Sequence, residues 1–283
     1  MKRLVILILL VALAAIAGVV VRSSSSKDGT VAEIRELVSH QSSSDEVRAE
    51  IRETYELAPG ARVEVGDING SVTIETSDTK TAEVYIVRTA SSQEAMNRRK
   101  IEIQADANRL RINGETTDHN FFAKLFGSKA SERVTLKVPR QISLYAKGVN
   151  GAFVVEELDG AIEVGGINGK VQIANAAGNA TLKGINGSVA IGMSRIEGEG
   201  VELSGINGNI ELRLAADVNA DFDAKGMNGR VIADIPNVAL EKGKHSYSAR
   251  IGSGGTGITA KGINGNIRLT RGPAAPADAL DKR

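Results

Sequence analysis

Over most of this chain apolar and polar residues alternate, and the phase of the alternation resets at intervals. Tyr55 and Leu57 alternate with charges, Pro59-Gly60 interrupts them, and Val63 and Val65 resume. The same period of two returns at Val72 and Ile74, Val84 and Ile86, Ile101 and Ile103, Leu110 and Ile112, and Val134, Leu136 and Val138. Successive side chains of a strand point to opposite faces, so the pattern predicts half-buried β-strands from Glu53 onward. Three stretches break it. Leu4 to Val21 is apolar throughout, between Lys2-Arg3 and Arg22. Val31, Ile34, Leu37 and Val38 fall at helical spacing, and Val47 and Ile51 are expected to continue a second short helix. Ser91-x-x-Glu94 is a capping-box signature and predicts a short helix to about Arg99.

From about Ile142 to Leu269 the alternation becomes a repeat. GING occurs at Gly166 to Gly169, Gly184 to Gly187, Gly205 to Gly208 and Gly262 to Gly265. GVNG at Gly148 to Gly151 and GMNG at Gly226 to Gly229 are near copies; DING (Asp67 to Gly70) and RING (Arg111 to Gly114) are looser ones. The motif asparagines Asn150, Asn168, Asn186, Asn207, Asn228 and Asn264 are separated by 18, 18, 21, 21 and 36 residues. A fixed period of about 20 residues is the signature of stacked coils. The last interval is twice 18, which predicts one coil without an Asn-Gly pair, where Tyr247, Ala249 and Ile251 alternate before a glycine-rich turn.

Within ATLKGINGSVAI, Ile185, Gly187, Val189 and Ile191 share one phase, and Ala180 and Leu182 share the other. The phases meet at Lys183-Gly184, which predicts a corner there, with Gly184 accepting a backbone conformation or a close approach that a side chain refuses. The Ile then opens a new strand facing inward, the Asn faces outward, and the second glycine is expected to leave room inside. Stacking brings the asparagines into a ladder of amide-to-amide hydrogen bonds along one edge. The competing reading makes each Asn-Gly a type I′ hairpin turn between antiparallel strands, which would demand no fixed period. On the ladder reading the asparagines satisfy one another and are structural; the alternative makes them a glycan-facing strip. One coil cannot bury enough to offset the entropy of ordering it, so the array is expected to fold cooperatively, with residues 53–139 capping one end.

Composition changes this picture in few places. Glycine numbers 31, tryptophan is absent, and there are only 5 Phe and 4 Tyr, which suits thin layers filled by Val, Ile, Leu and Ala. With no cysteine, disulfides, thiolate metal sites and a cysteine-linked lipid are excluded. The 35 basic and 34 acidic residues nearly cancel and give no reason to expect nucleic acid. As a helix, Leu4 to Val21 would reach about 27 Å against a hydrocarbon core of about 30 Å. It is expected to be an uncleaved anchor with Lys2 and Arg3 cytoplasmic and the rest exported; the alternative is a signal peptide with Ala15-Ile16-Ala17 as its cleavage site.

Candidate chemistry is sparse. The outward positions after each motif Asn are Lys170, Ser188, Asn209, Arg230 and Asn266, then Gln172, Ala190, Glu211, Ile232 and Arg268; no column repeats an acid. His40, His119 and His245 are far apart, and none has a second ligand at metal-binding spacing. GSGGTG at Gly252 to Gly257 mimics a phosphate loop, yet it lies between two strands and reads as a turn. The sequon matches at Asn69, Asn179 and Asn186 are read as accidental. HNFFAKLFGSK, His119 to Lys129, holds Phe121, Phe122 and Phe126 in a connection between strands. It is expected to fold over an open end of the core, or else to offer an apolar tip to lipid or a partner. No catalytic residue, cofactor, metal or small-molecule substrate is indicated.

The Gly-Ile-Asn repeats, LAPGARVEV followed by NGSVTI between Leu57 and Ile74, and the closing IGSGGTGITAKGINGNIRL together resemble the bacterial β-strand-repeat putative adhesins, which carry a head GIN domain. The likeness covers roughly Glu53 to Thr270. It implies a right-handed parallel β-helix-like fold in an exported, often membrane-anchored protein, and it carries no catalytic residues over. The expected fold is therefore all-β: a parallel β-helix or β-solenoid of coils of about 18–21 residues, with a β-rich N-terminal cap and an N-terminal transmembrane helix. The expected divisions are an anchor at 1–22, a polar linker with short helices at 23–52, the β-rich part at 53–139, the repeats at 140–270 and a disordered tail at 271–283. The expected function is non-enzymatic: an envelope adhesin or surface-binding protein, with the membrane and an envelope protein or glycan as partners. The alternatives are an envelope-stress sensor or accessory protein, and a glycan-active β-helix enzyme.

Overall fold

A computed structural model describes residues 46–116 and 130–272. The apolar run at Leu4–Val21, the helical pattern from Val31, Phe121, Phe122 and Phe126, and the tail from Pro273 lie outside the described residues. No helix among the described residues is long and apolar enough to cross a membrane.

The described chain is all-β apart from one short helix. Its N-terminal part comprises β1 (Val47–Glu56), β2 (Arg62–Gly66), β3 (Gly70–Ser77), β4 (Thr81–Ala90), α1 (Gln93–Arg98), β5 (Arg99–Asp106), β6 (Arg109–Thr116) and β7 (Ala130–Pro139). The middle comprises β8 (Ser143–Lys147), β9 (Phe153–Leu158), β10 (Ile162–Asn168), β11 (Val171–Asn186), β12 (Val189–Asn207) and β13 (Ile210–Leu214). Last come β14 (Ala220–Lys225), β15 (Val231–Asp234), β16 (Leu240–Lys242), β17 (Ser246–Ile251), β18 (Gly257–Lys261) and β19 (Ile267–Arg271). All 19 strands belong to one hydrogen-bonded sheet.

In the middle of the molecule like residues stack on like. On one face Leu144, Ile162, Ala180 and Val201 are register partners, all in parallel pairing. On the other, Val155, Ile173, Ile191 and Leu212 are. The long strands β11 and β12 run across both faces and join them. All eight side chains are buried in one continuous core. Ile167, Ile185 and Ile206 pair in parallel as well, so the motif is not a hairpin turn.

Sequence order and spatial order part company at both ends. β18 lies between β12 and β14, and β19 between β13 and β15, so the last coil of the chain is slotted between two earlier ones. The stretch expected to form a coil without an Asn-Gly pair is instead an antiparallel return: β16 pairs with β17, and β17 with β14. The doubled spacing of 36 between Asn228 and Asn264 therefore measures an excursion across the end and back. The N-terminal end is built alike. β2 sits between β6 and β8, and β3 between β7 and β9. Antiparallel β5 covers β6, while β4 and then β1 cover β7. An open coil end is a row of unpaired backbone groups; antiparallel strands cover both faces at the N-terminal end and the β14 face at the C-terminal end.

Three local expectations change. Val47 and Ile51 are four apart, but Ala49 lies on the same face, and residues 47–52 pair with β4 as strand rather than helix. The helix is capped by Ser92, one residue later than the signature suggested, its Oγ accepting from the Ala95 amide at 3.2 Å. RING turns no corner: Arg111 to Gly114 continue straight through β6, and Asn113 lies opposite Gly66.

Candidate functional site: the asparagine corner

The repeated motif builds one edge of the molecule. Lys183 and Gly184 are consecutive exposed residues, which is the slip of phase read from the sequence. Gly184 has φ +62°, and Gly148, Gly166, Gly205, Gly226 and Gly262 repeat the left-handed conformation. In DING the position belongs to Asp67 at φ 52°, a residue type that tolerates this region better than most. Ile185 then buries its side chain and Asn186 turns outward. The second glycine works differently from expectation. A Cβ on Gly187 would strike the carbonyl of Gly169 in the adjoining coil, and one on Gly208 would strike that of Gly187. The clearance is needed along the stack, between backbones, not in the core.

Stacking brings the motif asparagines together in spatial rather than sequence order. Asn228 Nδ2 donates to Asn264 Oδ1 at 2.9 Å, Asn264 to Asn207 at 2.8 Å, and Asn207 to Asn186 at 3.0 Å. Asn186 donates to Asn168 at 3.0 Å, Asn168 to Asn150 at 2.9 Å, and Asn150 to Asn69 at 3.0 Å. Asn69 of the looser DING copy closes the series on the Ala130 carbonyl at 2.6 Å. Every amide points the same way. A primary amide has two N–H donors and a carbonyl with two lone pairs, and the ladder uses one of each at an interior step. Half of the hydrogen-bonding capacity of these exposed residues is therefore left facing solvent, contrary to the expectation that the ladder uses it up.

Below Asn69 the edge ends on a buried ion pair. Glu132 accepts from Arg99 at 2.7 and 3.1 Å and from the Asn69 amide at 2.7 Å. Its side chain is 1% exposed and that of Arg99 16%. Arg99 also donates to the Asp67 carbonyl. Nothing in the sequence pairs residues 33 apart, so this contact was not foreseen.

Several carboxylates of the outer faces are held by cations. Arg109 meets Glu64 at 2.6 Å, Lys183 meets Glu202 at 3.0 Å and Arg268 meets Asp234 at 2.6 Å. Burial opposes the Glu64 charge, but Arg109 and Arg62 outweigh it and hold the carboxyl below its usual range. The hydrogen bond from Lys183 to Glu202 holds that ammonium above its usual range. The column Gln172, Ala190, Glu211, Arg268 and Ile232 is in register, with Gln172 buried rather than exposed. The glycine-rich turn after β17 already holds acceptors of its own chain. Asn219 Oδ1 accepts from the Ser253 amide at 2.9 Å and Asp221 Oδ2 from that of Gly255 at 3.2 Å. Among the described residues no three of His, Cys, Asp and Glu are placed to hold a metal; His40 and His119 lie outside them. A hollow at the C-terminal end is lined by Asp223, Lys225, Glu241 and Lys242 among others, charges of both signs with no convergent set.

These features define an all-β chain whose repeats pair in parallel within one sheet and share a polar corner, and known proteins add little. The sequence matches no protein-family profile. It matches no curated protein. Among solved structures, a putative cell adhesion protein from Clostridium sporogenes is 13% identical, covering 78% of this chain and 99% of its own, with a TM-score of 0.41. A putative adhesin from Bacteroides fragilis is 14% identical over 78% of this chain and 96% of its own, at 0.30. A putative lipid binding protein from Parabacteroides distasonis is 12% identical over 79% and 96%, at 0.27. Likeness this slight transfers no role to any residue.

Proposed function

We propose that the chain is a non-enzymatic β-solenoid of the head GIN type that presents its outer surface to a partner in the cell envelope, with the apolar run Leu4 to Val21 as its membrane anchor. The ladder carries this reading. Its first glycines are accounted for by the left-handed corner, its second glycines by backbone clearance and its isoleucines by burial, so the repeat is a means of stacking, and binding falls to the exposed polar groups it displays. Three of the outer carboxylates, Glu64, Glu202 and Asp234, are each matched with a cation, which favours this reading over a glycan-cleaving one, since acid–base hydrolysis needs two carboxyls facing one bond.

Fractionating native cells tests the placement. The protein should sediment with membranes and begin at Met1 or Lys2; a mature start at Gly18 would sink the anchor. Incubating the full chain with envelope glycans tests the chemistry, and release of new reducing ends or unsaturated products would overturn the non-enzymatic assignment.

A further inference from the structure

Six of the seven coils at the asparagine corner carry charge of one sign; the seventh, at Gly66–Ser71, adds the carboxylate of Asp67, which lies against Gly148. In spatial order the six read Lys147–Ala152, Gly165–Lys170, Lys183–Ser188, Ser204–Asn209, Lys261–Asn266 and Lys225–Arg230. These six stretches contain Lys147, Lys170, Lys183, Lys261, Lys225 and Arg230 and not one carboxylate. The chain as a whole has 35 basic and 34 acidic residues, so the corner is a local departure from balance. All of these cations but Lys170 are exposed. Register brings them together: Lys147, Gly165, Lys183, Ser204, Lys261 and Lys225 are successive partners across the coils. Acids of that face stand one outward position back, at Glu163, Glu202 and Asp223. Of these Glu202 makes an ion pair with Lys183. Among the described residues no ion pair involves Lys147, Lys225, Lys261 or Arg230.

Beside this row runs the ladder. At every interior step it leaves one N–H and one carbonyl lone pair open, at a repeat of about 4.8 Å set by strand spacing. The corner thus offers a donor–acceptor edge at each coil with cations alongside.

We propose that the corner is a docking rail for an extended anionic glycan. Its carboxylates meet Lys147, Lys261, Lys225 and Arg230, and its ring hydroxyls, each donor and acceptor at once, meet the open amide edges. An extended acidic peptide would meet the lysines and could bond the amides through its backbone, but its rise of about 3.3 Å per residue falls out of step with the coil repeat of about 4.8 Å. The inference rests on the surface-binding function proposed above and names the class of partner. Its test uses a purified polymer, so it does not depend on where the protein resides.

The experiment measures binding of the full chain to polygalacturonate at low salt, with neutral dextran and polyglutamate as comparators. Polygalacturonate should bind, weaken as salt rises, and exceed both comparators. Lys147→Gln/Lys225→Gln/Lys261→Gln should weaken it about tenfold without moving the melting temperature, as expected when three exposed charge contacts are lost. Ser188→Asp, which puts an acid beside the ladder, should weaken it too. Arg48→Gln/Lys100→Gln/Lys137→Gln removes equal charge elsewhere and should change little. No binding of polygalacturonate, equal loss from the two triple variants, or polyglutamate bound as tightly as polygalacturonate would each overturn the proposal. Membrane fractionation that fails while polygalacturonate still binds would count against the envelope placement and leave the docking rail standing.

Discussion

In the middle coils each Gly-Ile-Asn-Gly corner stacks on copies of itself, whereas at the N-terminal end the last corner of the ladder meets a buried ion pair. Asn186 has an asparagine above and below it, and Gly187 has a glycine on either side. Asn69 instead bonds the Ala130 carbonyl and the Glu132 carboxylate, and Asp67 replaces the corner glycine. At the C-terminal end Asn228 is the outermost rung, donating to Asn264 and accepting from no asparagine. Repetition thus supplies a partner wherever another coil follows. Where none follows, the chain needs unlike residues, and the two ends use different ones.

The largest test of this contrast lies in the middle. Val189 is 1% exposed and Ser188 beside it is exposed. Val189→Asp puts an unpaired carboxylate in the shared core and should destabilise by roughly 3 kcal/mol or more. Ser188→Asp should stay within about 0.5 kcal/mol. Denaturant unfolding of the two proteins decides it, and equal midpoints would mean that the faces are assigned the wrong way round.

At the N-terminal end Glu132→Ala leaves Arg99 and the Asn69 amide without their buried acceptor. Losing one member of a buried pair costs about 3–5 kcal/mol. Because the pair serves only the end, amide exchange should rise first in β3 and β7 while β11 and β12 stay protected. Uniform loss of protection would show that the end and the middle unfold as one unit.

Gly187→Ala sharpens the account of the middle. The added methyl meets the Gly169 carbonyl, which belongs to a packed backbone and cannot move freely. Overpacking of this kind costs about 1–3 kcal/mol. Gly257→Ala is the control, since a Cβ there meets nothing within 4 Å and its backbone is not left-handed. Equal melting temperatures would remove the stacking role of the second glycine.

How far the sequence discloses all this follows from the same contrast. The corner at Lys183-Gly184 was legible because two strand phases collide there, and the ladder because its spacing is regular. The spatial order was not. Asn264 stacks between Asn207 and Asn228, and identical letters stack equally well in either order, so the repeat cannot record which coil lies next to which. The β16–β17 return kept the alternation of a coil at Tyr247, Ala249 and Ile251, and alternation does not distinguish a parallel from an antiparallel neighbour. The Glu132–Arg99 pair left no trace, since neither residue has a partner at a local spacing. For Val47 and Ile51, a separation of four fits both a helix and an alternating strand, and the ten-residue pairing with β4 decided for the strand.

The smallest effect distinguishes rungs of the ladder itself. Asn186→Ala removes two amide bonds, one donated to Asn168 and one accepted from Asn207. Asn228→Ala removes one, the bond donated to Asn264. Each exposed bond contributes about 0.5–1.5 kcal/mol at most, because water replaces the lost partner. Asn186→Ala should therefore lower stability about twice as much as Asn228→Ala, with the backbone corner intact in both. If the two losses are equal, the amides act singly and the ladder is only a consequence of stacking. If Asn186→Ala costs far more than twice as much, the aligned amides strengthen one another along the column. Chemical denaturation of the two variants beside Asn186→Ala/Asn228→Ala separates these outcomes, because two rungs this far apart should add.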